Sequence, residues 1–303
     1  MRQLASCRKG LIPIDLLSSS SRVERLMITT QEDHRAKNVH PEYYDAAAAQ
    51  IHPRPFPSPV NDPQWLSSAV DWFSQAETIM EVGSGRGEFA EALVRKGGPK
   101  RYYLVDMSQG MLDLVRDRAG KLSKNLELVF VHADIDSDPL NQIPDNSLDK
   151  IIMINAFQDV NPYSALKTFR RIISPKGFFR VNVLSREFRD ENYRDEENFN
   201  KETGYFYLTR SHFADVKPLG YFTDKKGDRI PYYRILKSYY RKDLDRAFKE
   251  CGFEILSAEP ILLSKEVLLR AKTMAWNKSA LRQEILSKYG GYPASIDVIA
   301  RPI

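Results

Sequence analysis

The sequence predicts an α/β fold with a mostly parallel sheet, on three observations. Thr78 to Val82 is an apolar run with a carboxylate, Glu81, near its end, and it enters three alternate glycines, Gly83, Gly85 and Gly87. Beyond them Phe89, Leu93 and Val94 fall at helical spacing, so strand, glycine turn and helix follow one another. Further apolar runs that end in an acid, Arg101 to Asp106 and Leu126 to Asp134, alternate with helical patterns, as crossover units of a parallel sheet require.

The first strand and its turn set the ligand chemistry. Glycine takes positive φ without strain and lets a ligand approach the backbone closely. A dinucleotide fingerprint, G-x-G-x-x-G, would place its last glycine at position 88, which is Glu88. A pyrophosphate beside that carboxylate would be repelled. The second strand ends in Asp106, followed by Met107-Ser108-Gln109-Gly110-Met111-Leu112. An acid roughly 20 residues beyond a glycine turn suits ribose recognition, because a carboxylate accepts from both vicinal hydroxyls. The third strand, Leu126 to Ile135, carries His132 and Asp134 on one face by alternation. His132 reads as a hydrogen-bonded structural residue.

Ile143-Pro144-Asp145-Asn146-Ser147-Leu148-Asp149 leads into a fourth strand, Lys150 to Asn155, followed by Ala156-Phe157-Gln158-Asp159-Val160. A helix from Tyr163 to Ile173 is expected to stop at Ser174-Pro175-Lys176-Gly177, where proline cannot continue it and glycine supplies a turn. Phe178 to Leu184 is the fifth strand, Arg241 to Glu250 a helix, Glu254 to Ala258 the sixth strand and Ile296 to Ala300 the last.

An acidic residue followed by G-x-G-x-G, here Glu81 to Gly87, resembles motif I of the class I S-adenosylmethionine-dependent methyltransferases. Asp106 with its D-x-S-x-x-M-L helix start, the approach Ile143 to Asp149, and the Cys251-Gly252-Phe253 turn resemble further segments of that family in the same order. The match is strong over Thr78 to Leu184 and looser over Tyr239 to Pro302. The resemblance implies a Rossmann-like sheet of seven strands in the order 3-2-1-4-5-7-6, and S-adenosylmethionine as cofactor. It implies a binding set of Glu81, Gly83, Ser84, Gly85, Gly87, Asp106, Met107, Met111, Asp134, Ile135 and Asn155. In that set Asp106 meets the ribose, Asp134 the adenine amino group, and Ile135 packs on the ring. Small-molecule members place a tyrosine over the cofactor, for which Tyr44 is the candidate and Tyr43 the alternate. Many carry histidine near Phe157-Gln158, so Gln158 is a departure from the pattern. The bland reading of Asp106 is the N-cap of the helix that follows.

The implied activity is methyl transfer to a small organic acceptor. No residue is an unambiguous base; Asp159, His212 and Tyr44 are conceivable, and the catalytic assignment stays open. An RNA or protein methyltransferase is the first alternative, disfavoured because Asn155-Ala156-Phe157-Gln158 replaces the Asn/Asp-Pro-Pro-Tyr/Phe motif of amino-methylating members. A cofactor-binding protein without methyl transfer is the second.

Composition narrows the classes. Of 303 residues 42% are hydrophobic and 28% charged, which is typical of a globular chain, and no apolar run approaches the ~20 residues of a membrane span. Cys7 and Cys251, and histidines 34, 40, 52, 132 and 212, show no metal or disulfide pattern, so neither metal nor disulfide is expected and a reducing, cytoplasmic setting is. The net charge of +5 is dispersed among acids, which argues against nucleic acid as a partner.

Five segments are expected. Residues 1–26, rich in Arg and Ser, read as a transit peptide or as an extension upstream of an initiator at Met27, disordered or loosely packed in either case. Residues 27–75 form a helical cover, a proline-rich linker (Pro53, Pro55, Pro57, Pro59, Pro63) and a helix from Gln64 to Phe73. Residues 76–184 form the cofactor core, 185–238 an acceptor-side insert or lid, and 239–303 the C-terminal part with a helical insert at 262–292. That last insert caps the pocket or mediates a homodimer. Within 185–238 a hairpin is expected to turn at Lys226-Gly227, as in the quinone and natural-product branch of the family. Tyrosines 205, 207, 221, 232, 233, 239 and 240 build either an aromatic acceptor pocket or a mixed β-surface.

Overall fold

The computed structural model describes residues 44–45, 58–122, 126–192, 205–208, 220–223, 229–232, 234–263, 287–288 and 292–303. The extension at 1–26, Tyr43, the prolines at 53, 55 and 57, Tyr233, His212, the hairpin turn and most of the 262–292 insert lie outside the described residues.

The strands are β1 (Thr78–Val82), β2 (Arg101–Asp106), β3 (Glu127–His132), β4 (Leu148–Met153), β5 (Ile173–Ser185), β6 (Tyr205–Leu208), β7 (Gly220–Thr223), β8 (Arg229–Tyr232), β9 (Arg234–Tyr239), β10 (Phe253–Leu263) and β11 (Tyr292–Pro302). The helices are α1 (Pro63–Phe73), α2 (Glu88–Lys96), α3 (Gln109–Ala119), α4 (Pro162–Ile172), α5 (Arg186–Asn192) and α6 (Arg241–Glu250). In space the sheet runs β3-β2-β1-β4-β5-β11-β10. Strands β1 to β5 pair in parallel, while β11 is antiparallel to both β5 and β10. With β10 as sixth strand and β11 as seventh, this is the expected order 3-2-1-4-5-7-6. Beyond it, β9 pairs in parallel with the tip of β5 at Leu184↔Ser238 and Ser185↔Tyr239, and antiparallel with β6. The expected hairpin is present in its arms, β7 and β8, paired from Gly220↔Tyr232 to Thr223↔Arg229.

Helices on both faces give two cores, as a doubly wound sheet must. On one face α1, α2 and α3 bury Ala69, Phe73, Phe89, Leu93, Leu112 and Val115 against Ile79, Tyr102, Leu104 and Ile152. On the other, α4 and α6 pack Leu166, Phe169, Leu244 and Phe248 against Val105, Met153, Phe179 and Val181. Local sequence explains the starts of these helices. Asp62 caps α1, accepting from the backbone N–H groups of Gln64 and Trp65 at 3.0 and 3.1 Å, and Pro63 occupies the first turn where its missing N–H costs nothing. Asn161 and Pro162 repeat the device at α4. Helix α1 is fixed to the sheet by cations under its tryptophans. Arg180 lies 4.8 Å from the Trp65 ring centroid and pairs with Asp297, which also accepts from Trp65 Nε1 at 3.1 Å. Lys150 donates to the Trp72 carbonyl and lies 4.4 Å from its ring.

Two expectations of local structure need correction. The segment Ser174 to Gly177 is not a turn: β5 begins at Ile173, with Leu148 opposite Ile173 and Lys150 opposite Phe178. The chain therefore loops outward between two rungs while staying extended, which suits Pro175, whose nitrogen cannot join a ladder. Gly177 permits the bulge, since a Cβ there would lie 2.6 Å from Ile173 Cγ1 and 2.9 Å from the Asp149 carbonyl oxygen. The sixth and last strands are longer than their apolar cores suggested, because β10 and β11 stay paired out to Leu263↔Tyr292. The 262–292 insert thus begins and ends in strand.

Candidate functional site

The residues singled out in the sequence converge at the C-terminal ends of β1, β2, β3 and β4. Strand order reverses between β1 and β4, and a crevice for a ligand opens at such a point in doubly wound sheets.

The glycine loop is held to β2. Gly83, Gly85 and Gly87 have φ of 69°, 51° and 76°, a region that favours glycine. The Gly83 N–H donates to the Val105 carbonyl at 2.8 Å, and the Gly85 N–H donates to Asp106 Oδ2 at 2.9 Å. Two of these glycines also serve the protein's own packing. A Cβ on Gly83 would lie 2.6 Å from Ala156 Cβ, and one on Gly87 would lie 3.0 Å from Val115 Cγ2. Close approach of the loop to the turn after β4 and to α3 therefore demands glycine before any ligand arrives.

Asp106 is 7% exposed and is not the cap of α3. That role belongs to Ser108, whose Oγ accepts from the Met111 N–H at 3.1 Å. Asp106 Oδ1 accepts from the Ser108 N–H at 2.9 Å while Oδ2 takes Gly85. The two amides fix the orientation of the carboxylate. Met111 is buried and Met107 half-buried beside it. The Met107 carbonyl lies 3.0 Å from His132 Nε2, so His132 ties the ends of β2 and β3 together.

Glu81 is 3% exposed and accepts a hydrogen bond from the Tyr102 hydroxyl. Burial, and then the Glu81 charge, push the Tyr102 hydroxyl well above the ordinary tyrosine range. The β1–β2 register sets Tyr102 beside Ile79, so that its ring runs forward on the same face to meet Glu81. Sequence reading missed Tyr102, which looks like an ordinary strand aromatic; the partner becomes visible only with the register.

Asp134 accepts from the Asp136 N–H at 3.0 Å and from the Ser137 hydroxyl at 3.2 Å, and Ile135 beside it is buried. Asp136 in turn accepts from the Asn161 N–H at 2.8 Å, which joins the loops after β3 and β4. Asn155 has a left-handed φ of 52°. Its N–H donates to Asn182 Oδ1 at 2.8 Å, its Oδ1 accepts from Asn182 Nδ2 at 2.7 Å, and its Nδ2 donates to Ser58 Oγ at 2.7 Å. The Asn155 side chain thus holds the loop to β5 and to the segment before α1, with little capacity left for a ligand.

Tyr44 is helical and half-buried, and its neighbour Asp45 shows where this segment docks. Asp45 Oδ1 accepts from the Ser108 hydroxyl at 2.6 Å and from the Gly110 N–H at 2.9 Å. A carboxylate at the N-terminus of α3 is favourably placed against the helix dipole. The contact sets Tyr44 next to the end of β2. Asp45 is a second residue that sequence reading missed.

Toward β5 and β9 the character changes. The Phe157 ring meets Phe179, Tyr239 and Phe248, and Tyr239 is 4% exposed, a core residue whose hydroxyl donates to the Phe157 carbonyl at 3.4 Å. Tyr240 donates to Asp190 and lies under Arg186 at 4.5 Å. The hydrogen bond to Asp190, helped by burial, raises the Tyr240 hydroxyl, while burial lowers the Lys237 ammonium. Tyr239 therefore fits neither reading of the tyrosines, pocket or β-surface: it packs in the core. Asp159 sits in the short helical turn after β4.

Strand order and site together define the class I methyltransferase fold. Residues 80–181 match the family model described as the methyltransferase domain. A Mycobacterium tuberculosis protein named an uncharacterized methyltransferase is 27% identical over 117 residues, 38% of this chain and 44% of that one. A demethylmenaquinone methyltransferase of Bacteroides fragilis is also 27% identical over 117 residues, 35% of this chain and 46% of that one. The chain therefore spans less than half the length of these relatives. Among solved structures, the CcbJ methyltransferase of Streptomyces caelestis aligns with 87% of this chain and 99% of its own, at a TM-score of 0.52 and 14% identity.

Proposed function

We propose that the protein transfers a methyl group from S-adenosylmethionine to a small organic acceptor. The observation that carries this reading is Asp106, a buried carboxylate at the end of β2, aimed by the Gly85 and Ser108 amides at the switch point of the sheet. The cofactor supplies a methyl group on a sulfonium, already poised to leave as a thioether.

The chain's own residues bind and orient. Asp106 accepts from the two ribose hydroxyls, Asp134 from the adenine amino group, and Ile135 packs on the ring. Glu81, held by Tyr102, sets negative charge beneath the glycine loop. Tyr44, anchored through Asp45, covers the adenosine side. Alignment of this kind supplies roughly 7 to 11 kcal/mol toward displacement without acid or base. The Phe157 turn and residues 185–238 border the acceptor, and the quinone named for the B. fragilis relative supports a small one.

Calorimetric titration with S-adenosylmethionine, S-adenosylhomocysteine and NAD tests the reading. Micromolar binding of the first two, about −8 kcal/mol, with none of NAD is expected. Binding of NAD in preference, or of none of the three, overturns it.

A further inference from the structure

The turn after β4 is held in its shape from outside. Asn155 has a φ of 52°, in the left-handed region. Asparagine enters that region more readily than most residues, yet at a cost that the surroundings must offset. Here the surroundings are Asn182 on β5, which is 2% exposed, and Ser58 before α1, which is fully buried. Neither belongs to the binding set that the family resemblance implies.

One fixed donor orients the whole network. The Asn155 N–H can only donate, so the Asn182 atom that meets it at 2.8 Å is Oδ1. Asn182 Nδ2 then faces the Asn155 side chain and donates to its Oδ1 at 2.7 Å. That leaves Asn155 Nδ2 to donate to Ser58 Oγ at 2.7 Å. Position 182 therefore needs an acceptor and a donor on one planar group, which an amide supplies and a carboxylate of the same shape does not. Position 155 is less exacting, because toward Asn182 its side chain only accepts, and the Ser58 hydroxyl can turn to donate instead.

The turn so held is the surface on which the glycine loop rests. Ala156 stands so close to Gly83 that a Cβ there would lie 2.6 Å from its own. Next along, the Phe157 ring meets Tyr239 of β9 at 5.7 Å. A displaced Asn155 moves the loop on one side and the first ring of the aromatic wall on the other.

We propose that Asn182 and Ser58 are positioning residues, which preorganise the site for its cofactor by clamping the Asn155 turn and touch no ligand themselves. The inference rests on the cofactor reading above.

The test titrates S-adenosylhomocysteine into wild type, Asn182→Asp, Ser58→Ala and Asn155→Asp, each under conditions where urea unfolding shows it folded. Asn182→Asp sets a carboxylate oxygen against Asn155 Oδ1 and should weaken the ligand about tenfold. Ser58→Ala removes one bond of the clamp and should weaken it about threefold. Asn155→Asp keeps the bonds to Asn182 and should cost only about twofold. A folded Asn182→Asp with wild-type affinity confines the network to fold stability and overturns the proposal. So does a loss in Asn155→Asp as large as that in Asn182→Asp, which would make Asn155 itself the ligand contact. If Asn182→Asp fails to fold, Ser58→Ala decides, wild-type affinity again overturning the clamp. A wild type that does not bind S-adenosylhomocysteine overturns the cofactor reading and the clamp with it.

Discussion

The two halves of the sheet's C-terminal edge are built by different chemistry. At the ends of β1, β2 and β3, carboxylates are aimed by backbone amides: Asp106 by Gly85 and Ser108, and Asp134 by Asp136. At the ends of β4 and β9 rings take their place: Phe157 meets Tyr239 at 5.7 Å, above a core in which Phe179, midway along β5, is stacked on Phe248 at 5.8 Å and tilted against Phe169 at 4.9 Å. Amide-held carboxylates specify one hydrogen-bonding outline and tolerate little change. An aromatic wall specifies shape and volume, which can be redrawn by side-chain substitution without disturbing the backbone. A fixed cofactor with a variable partner calls for this division.

The contrast breaks most visibly where the aromatic half is hollowed out. Phe179 is fully buried among Phe157, Phe169, Phe248 and Phe253. Phe179→Ala should cost about 3–5 kcal/mol of stability in urea unfolding. The protein that remains folded should bind S-adenosylhomocysteine within about threefold of wild type, and a larger loss would mean that the two halves are not separable. Asp106→Ala should do the reverse. It removes the acceptor of two amides and the proposed ribose contact, so affinity for S-adenosylhomocysteine should fall by about 2–3 kcal/mol, read by calorimetry. Unchanged affinity would remove Asp106 from the site.

How much of this was legible in the sequence follows the same divide. Glycine spacing and acids at strand ends are local signals, written in consecutive residues, and the structure gathers those positions at one edge. The sheet order came with the family resemblance that those signals carry, not from the signals alone. What escaped depends on register across long separations. Tyr102 meets Glu81 only because β1 and β2 pair as they do, Asp45 lies 63 residues from Ser108, and Ser58 lies 97 from Asn155. The Ser174–Gly177 segment misled for a related reason. Its proline and glycine signal a break in the ladder, and only the partner strand shows that the break is a bulge rather than a turn.

The Tyr102–Glu81 pair offers a smaller effect with a sign that can be checked. The folded pKa of Tyr102 lies well above the ordinary value of 10.0. Above pH ~10 the unfolded chain releases that proton while the folded one keeps it, so stability present below pH 10 is lost as the pH rises. Lys150 opposes this, because burial lowers its folded pKa below 10.5, and just below that pH the unfolded chain holds the extra proton, so stability rises with pH. Tyr102→Phe should therefore flatten the alkaline fall in urea midpoints between pH ~10 and ~11, and Lys150→Met should steepen it. An unchanged slope in Tyr102→Phe would mean that the hydroxyl titrates as in the unfolded chain.

The smallest effect concerns the cover. Asp45 joins its segment to the cofactor half through Ser108, whose N–H reaches Asp106, so the anchor of the cover and the proposed ribose contact share one residue. Asp45→Ala removes two hydrogen bonds on a largely exposed side chain, where each is worth little against water. Stability should stay within about 0.5 kcal/mol of wild type, while affinity for S-adenosylhomocysteine should fall about threefold through faster dissociation, read by stopped-flow. If Tyr44 lies over the adenosine, Tyr44→Ala should produce the same loss and the double variant no more than either single one. Additive losses would mean that Asp45 acts on Ser108 and Asp106 directly, and that the cover plays no part.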